Sequence, residues 1–338
     1  MGYKDTEYLH AAARVSYLEN QMLTKEDMLK AVDAEGIKEA YRILSGRKLF
    51  GKHGIDEYEQ AFEESLAETY KLIEEITGEI GLTSVFRYSI DGHNIKVMIK
   101  AKAAEGDFDS LYKKGGTVEP FVMEREFDKK SFCYVPEILG TAALEAADEL
   151  AKTRDSQIVD IMIDKAVMAL MTKKAAALNC ECVTDYVKDK IDFINIRSAL
   201  RLLRMKKDIY TASKVFAEGG RFKKRELEQA YSTGYDGLRR LTEKIPYSEK
   251  LCEAINIVKH GGSTGAFEQQ IDLYFSNFFE DVRTVSFGIE PVFTYLYSKE
   301  QEIKACRLVL VSKLYDLPKE MIAEKVRCIY ANENSSNR

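Results

Sequence analysis

The sequence predicts an all-α protein organised as three repeated helical hairpins, and three observations carry that expectation. An Asn- or Glu-Ile-basic triplet recurs as Asn94-Ile95-Lys96, Asn195-Ile196-Arg197 and Glu302-Ile303-Lys304, with its isoleucines 101 and 107 residues apart. Upstream of each triplet lies an apolar stretch at spacings of three and four: Phe62, Leu66, Tyr70 and Ile73; Ile163, Val167 and Leu170; Phe267, Ile271, Tyr274 and Phe278. Such spacing places each set on one helical face. Only five prolines interrupt a chain of 338 residues, so long helices are permitted. A threefold repeat of hairpins favours a ring, funnel or arc that holds something over a cleft that converts something.

The elements follow in order. A first helix is expected over Thr6–Met22, and Thr24 with Asp27 has the capping-box pattern that starts a second. A helix over Ile37–Leu44 ends near Gly46, and a long one covers Asp56–Thr77. The stretch Ser84–Ile90 is β-tolerant but short. In the middle third, helices are expected over Glu137–Thr153, Asp155–Asn179 and Thr184–Lys207. The last third should hold Lys223–Tyr231, Gly237–Lys244 and Phe267–Val285, a start at the Ser298/Gln301 capping-box pattern, and a terminal helix opening on Pro318 and reaching Tyr330. The glycine pairs Gly115-Gly116 and Gly219-Gly220 mark sharp reversals between repeats. They cut the chain into lobes 1–114, 115–219 and 220–331, with a polar tail, 332–338, expected to be disordered.

Composition narrows the function. Fifty basic against 55 acidic residues give a net charge of −5, unlike the basic footprint of a nucleic-acid binder. No apolar run approaches the ~20 residues of a membrane span. The start, Met1 to Thr6, lacks a signal core, though glycine second and threonine sixth fit a loose myristoylation pattern. Six scattered cysteines read as reduced thiols. Cys180-Glu181-Cys182 is half a metal site without a second pair. Gly261-Gly262-Ser263-Thr264-Gly265 precedes a helix but lacks the Gly-Lys-Ser/Thr ending of a phosphate loop. His10, His53, His93 and His260 form no zinc or nucleophile motif. No cofactor is called for.

Charge supplies the remaining candidates. On the helix over Thr184–Lys207, Asp185, Asp189 and Asp192 fill the first half and Arg197, Arg201 and Arg204 the second, which complements the helix dipole. The arginine row, with Lys96 and Lys304, is also a candidate surface for an acidic partner. Asp91 and Asp192, with Asn94 and Asn195, read as residues that cap or kink the second helix of each hairpin. An enzymatic alternative remains: Asp160 and Asp164 facing Asp185, Asp189 and Asp192 could hold a divalent metal and a phosphorylated substrate, although no Asp-Asp-x-x-Asp cluster is present.

At the triplets, and most specifically in the run from Ile289 to Lys304, the sequence resembles the C subunit of prokaryotic V-type (A-type) ATPases, equivalent to the eukaryotic d subunit. The resemblance extends over the chain through Tyr8 to Arg14, Asp91 to Lys96 with Lys100 to Lys102, Asp192 to Arg197, and Lys319 to Ile322. It implies a three-lobed helical funnel of approximate threefold symmetry that hydrolyses nothing itself. Such a subunit sits peripherally at the cytoplasmic face, joins the central stalk to the membrane proteolipid ring, and passes rotation between them. Lys299 and Glu302 depart from the pattern, standing where the other copies have Asp91/Asp192 and Asn94/Asn195.

Overall fold

The computed structural model of the chain describes residues 8–78, 80–104, 106 and 108–330. The amino-terminal lipidation pattern and the tail 332–338 lie outside these residues. The described residues form helices and turns, without strands. The α-helices are α1 (Leu9–Glu19), α2 (Lys25–Asp33), α3 (Ile37–Leu44), α4 (Tyr58–Thr77), α5 (Ser84–Ala104), α6 (Pro120–Lys129), α7 (Glu137–Thr153), α8 (Ser156–Leu178), α9 (Glu181–Arg204), α10 (Ile209–Val215), α11 (Lys224–Ser232), α12 (Tyr235–Thr242), α13 (Glu249–Lys259), α14 (Gly265–Arg283), α15 (Glu290–Leu314) and α16 (Lys319–Ile329). They divide into two compact units: residues 80–241, and a discontinuous unit of 1–79 with 242–338.

In the continuous unit, α8 packs against α5, α7 and α9. It therefore buries several sides, through Val159, Ile163, Val167, Leu170, Met171 and Leu178. A helix surrounded in this way loses the single apolar stripe of a surface helix. The approach of α5 to α8 is close enough to demand Gly92, because a Cβ there would sit 2.5 Å from Val167 Cγ2. Glu126 on α6 turns the chain into α7 by accepting the N–H groups of Cys133 (3.1 Å), Tyr134 (3.0 Å) and Val135 (2.9 Å).

In the discontinuous unit, α15 packs against α1, α2, α3, α4, α14 and α16, so the end of the chain forms the core of its beginning. Ile303, Cys306, Val309 and Leu310 are buried among Met28, Val32, Leu44, Phe50 and Phe62. Tyr297 stacks on Phe279 with ring centroids 3.9 Å apart. Arg307 grips Glu59 with Nε and Nη2 at 2.8 Å. Lys313 and Lys319 donate to the Ala34 and Asp33 carbonyls, both at 2.6 Å, where α2 ends and carbonyls lack helical partners.

The expected apolar faces are present: Phe62, Tyr70, Ile73, Ile163, Val167, Leu170, Phe267 and Tyr274 are buried, and Leu66, Ile271 and Phe278 half-buried. Three local expectations are corrected. Ser84–Ile90 is the first two turns of α5, because burial of Val85 and Phe86 overrides their β-propensity. The Ser298/Gln301 pattern starts nothing, since α15 runs through it from a start with Pro291 in the first turn. Pro318 is the N-cap of α16 rather than its first residue. Helices α6, α10 and α13 were not expected.

The Thr24 capping box forms as the sequence predicts: Thr24 Oγ1 accepts from Asp27 N–H at 3.2 Å, and Asp27 Oδ2 accepts from Thr24 N–H at 3.1 Å. Thr24→Ala is expected to lower unfolding stability by about 1 kcal/mol. A denaturant titration that finds no change would show that packing against α3, α15 and α16 holds α2 without the cap.

Candidate functional site

The recurrent polar residues hold loops. Asp91 and Asn94 lie three residues apart on α5 and are fully buried. Asn94 reads one residue twice: its Oδ1 accepts the Lys113 N–H and its Nδ2 donates to the Lys113 carbonyl, both at 2.9 Å. Asp91 takes the next turn of the loop, accepting the N–H groups of Thr117 (2.8 Å) and Val118 (3.3 Å) and the Thr117 hydroxyl. Arg87, one turn earlier, donates to the carbonyls of Gly115 and Gly116.

The second copy repeats the arrangement with different loop residues. Asn195 on α9 pairs both ways with the Ala217 backbone at 2.9 Å. Asp192 accepts the N–H groups of Arg221 (2.8 Å) and Phe222 (3.4 Å). Glycine is required beneath each aspartate: a Cβ at Gly116 would lie 2.4 Å from Asp91 Oδ1, and one at Gly220 2.1 Å from Asp192 Oδ1.

In the third copy the chemistry changes and the target moves. Glu302 occupies the asparagine position on α15 and accepts the Leu23 N–H through Oε1 at 2.7 Å. Lys299, at the aspartate position, donates to Glu302 Oε2 at 2.7 Å. This buried carboxylate thus has a cation and an amide, as a charge out of water requires. The three segments held are the entries to α6, to α11 and to α2. Asp91 and Asp192 lie inside α5 and α9 rather than at their ends, so they do not cap them.

The acidic stripes are occupied by the chain itself. Asp164 pairs with Lys96 at 2.6 Å and Asp160 with Lys100 at 2.7 Å, across α5 and α8. Arg221 pairs with Asp189 and reaches Asp185 at 3.2 Å. With Asp192 committed to a loop, the five carboxylates offer no open, convergent ligand set, and the metal-dependent alternative loses its geometry. Of the basic candidates, Lys96 is paired with Asp164 and Lys304 with Asp272 on α14. Arg197 is half-buried, and Arg201 and Arg204 are exposed at the end of α9.

Sequence reasoning missed Arg221, Thr117, and the partnership between each aspartate and its glycine pair. The available signal was spacing, since Thr117 follows Asp91 by 26 residues and Arg221 follows Asp192 by 29.

Burial pushes the Asp91 carboxyl up to about 6, against the lowering effect of the Thr117 and Val118 donors. Burial, with Asp189 nearby, pushes Asp192 up to about 7, against the Arg221 and Phe222 N–H groups. A carboxyl raised in the folded state contributes stability that is fully present below its unfolded value near 3.8. The contribution is lost as pH rises through the folded value.

A family model described as the ATP synthase (C/AC39) subunit matches residues 11–325, most of the chain. Among curated proteins, the chain is 21% identical over 316 residues to the C subunit of the V-type sodium ATPase of Enterococcus hirae, covering 92% of this chain and 95% of that protein. It is 22% identical over 352 residues to the C subunit of the V-type ATP synthase of Thermus thermophilus, covering 96% and 99%. A third relative is the C subunit of the A-type ATP synthase of Methanosphaera stadtmanae, 22% identical over 330 residues, covering 90% and 84%.

Two outcomes test the loop-holding geometry. Asn195→Ala leaves a buried N–H and carbonyl of Ala217 without partners and is expected to cost about 2–4 kcal/mol in urea unfolding; a loss below about 0.5 kcal/mol would show that water replaces the side chain. Asp192→Asn removes the titrating group. Its stability should therefore decline less than the parent's between pH 5 and 8, and parallel profiles would refute the raised carboxyl. The match over residues 11–325, together with relatives aligned along nearly their whole length, places this chain in the ATP synthase (C/AC39) subunit family.

Proposed function

We propose that the chain is a non-catalytic coupling subunit of a rotary V/A-type ATPase, joining the central stalk to the membrane proteolipid ring. In this role it sits peripherally at the cytoplasmic face and transmits rotation, either for ATP-driven ion transport or for ion-driven ATP synthesis. The observation that carries the reading is the family match along residues 11–325. Among the described residues no helix is long and apolar enough to cross a membrane, so attachment through protein partners is consistent with it.

The local structure suits a part that bears torque. Helices α5 and α9 are each tied to a loop by a two-way pair of hydrogen bonds, which fixes direction as well as distance, and α15 by a single one, in an interior packed like a solid. The three sequence lobes, 1–114, 115–219 and 220–331, form a funnel of approximate threefold symmetry in this proposal, and the recurrence of the loop-holding residues supports that division.

Partner contacts are assigned to the far ends of the second helices. Arg197, Arg201 and Arg204 line the last turns of α9, and the exposed apolar side chains Met205, Ile209 and Tyr210 follow them. The end of α15 carries exposed Leu314, Tyr315 and Leu317 in the other unit. Apolar tips beside cations fit partner interfaces of mixed character. Lys96 on α5 and Lys304 on α15 are further candidates, paired with Asp164 and Asp272.

The tagged chain is expected to capture both a stalk and a proteolipid ring from detergent-solubilised host membranes. Arg201→Glu with Arg204→Glu should weaken capture of one of the two by about tenfold or more, with melting unchanged. Capture of neither partner by the folded parent chain would overturn the coupling role; full affinity in the double variant would remove only the arginine assignment.

A further inference from the structure

The turn from α8 into α9 places two thiols together. Cys180 is the N-cap of α9, in extended backbone with φ −116° and ψ 123°, and Cys182 lies in the first turn. Their sulfurs are 3.2 Å apart and both residues are reduced. We propose that Cys180 and Cys182 are a redox couple, oxidised to an intramolecular disulfide by low-molecular-weight disulfides such as oxidised glutathione.

The two residues differ in a way that assigns their roles. Cys182 is half-buried and Cys180 is 7% exposed, so an incoming disulfide meets Cys182 first. Cys182 attacks the oxidant, forming a mixed disulfide and releasing one thiol. Cys180 then loses its proton to water and attacks the Cys182 sulfur, expelling the second thiol. In sum, two cysteine thiols and one small disulfide become one protein disulfide and two small thiols; the protein sulfurs are oxidised and the glutathione sulfurs reduced.

Closing the sulfurs from 3.2 Å to the ~2.05 Å of a bond requires a small rotation. The N-cap can supply it, because Cys180 is not constrained by helical dihedrals. The other cysteines provide internal comparisons. Cys133 is exposed on a loop, whereas burial raises the Cys306 thiol well above the ordinary range, which leaves it inert.

The test uses the purified native chain, oxidised glutathione, alkylation of remaining thiols and mass mapping of the tryptic peptide from Ala175 to Lys188. The expected result is that this peptide loses two hydrogens, carries neither alkyl group nor glutathione, and regains both thiols with dithiothreitol, while Cys133 retains a glutathione adduct. Cys180→Ser should leave a lasting adduct on Cys182. The proposal is overturned if both thiols remain alkylatable under conditions that modify Cys133, or if the parent chain accumulates a stable adduct on Cys182.

Discussion

The architecture depends on a buried carboxamide or carboxylate, set in the middle of a long helix, that takes hold of the backbone of an incoming loop. A backbone N–H or carbonyl shut away from water must be paired. Asn94 and Asn195 supply a donor and an acceptor to a single residue, as a neighbouring strand would. The helix thereby does the work of a sheet edge for one residue. The aspartate one turn away then fixes the following peptide units, and a glycine lets the backbone approach the carboxylate.

Polar grips in a helical core have a specific advantage over apolar ones. Hydrophobic contact is roughly proportional to area and indifferent to register, whereas a two-way hydrogen bond to one peptide unit is satisfied in one register only. A helix sliding by one residue against its loop would orphan both partners. The third copy reaches the same end with charge: Lys299 and Glu302 neutralise one another, and the remaining carboxylate oxygen holds Leu23. The substitution keeps the acceptor and drops the donor, so the third grip is the least selective.

The helical class, the apolar faces and the Thr24 cap were legible because each is written within one or two turns of sequence. So was the existence of the Asp-x-x-Asn repeat. Its job was not, because the partner atoms are backbone groups roughly twenty or more residues away, and backbone groups leave no mark in composition. The same blindness turned Asp185 and Asp189 into candidate metal ligands: their neutralising cation, Arg221, enters from a loop beyond the next helix. Ser84–Ile90 misled differently, since local β-propensity was outweighed by burial against other helices. Pro120 at the start of α6 was a usable signal that went unread.

The bond from Glu302 to Leu23 joins positions 279 residues apart, and around it the first and last segments of the chain form one core. The order in which a ribosome delivers these parts then matters. Residues 80–241 emerge as a complete unit, whereas α1 to α4 leave the ribosome without α15, the helix that α1, α2, α3 and α4 all pack against. Long-range closure of this kind slows folding. The amino-terminal helices must wait, with the faces that meet α15 open, until α15 itself has been made.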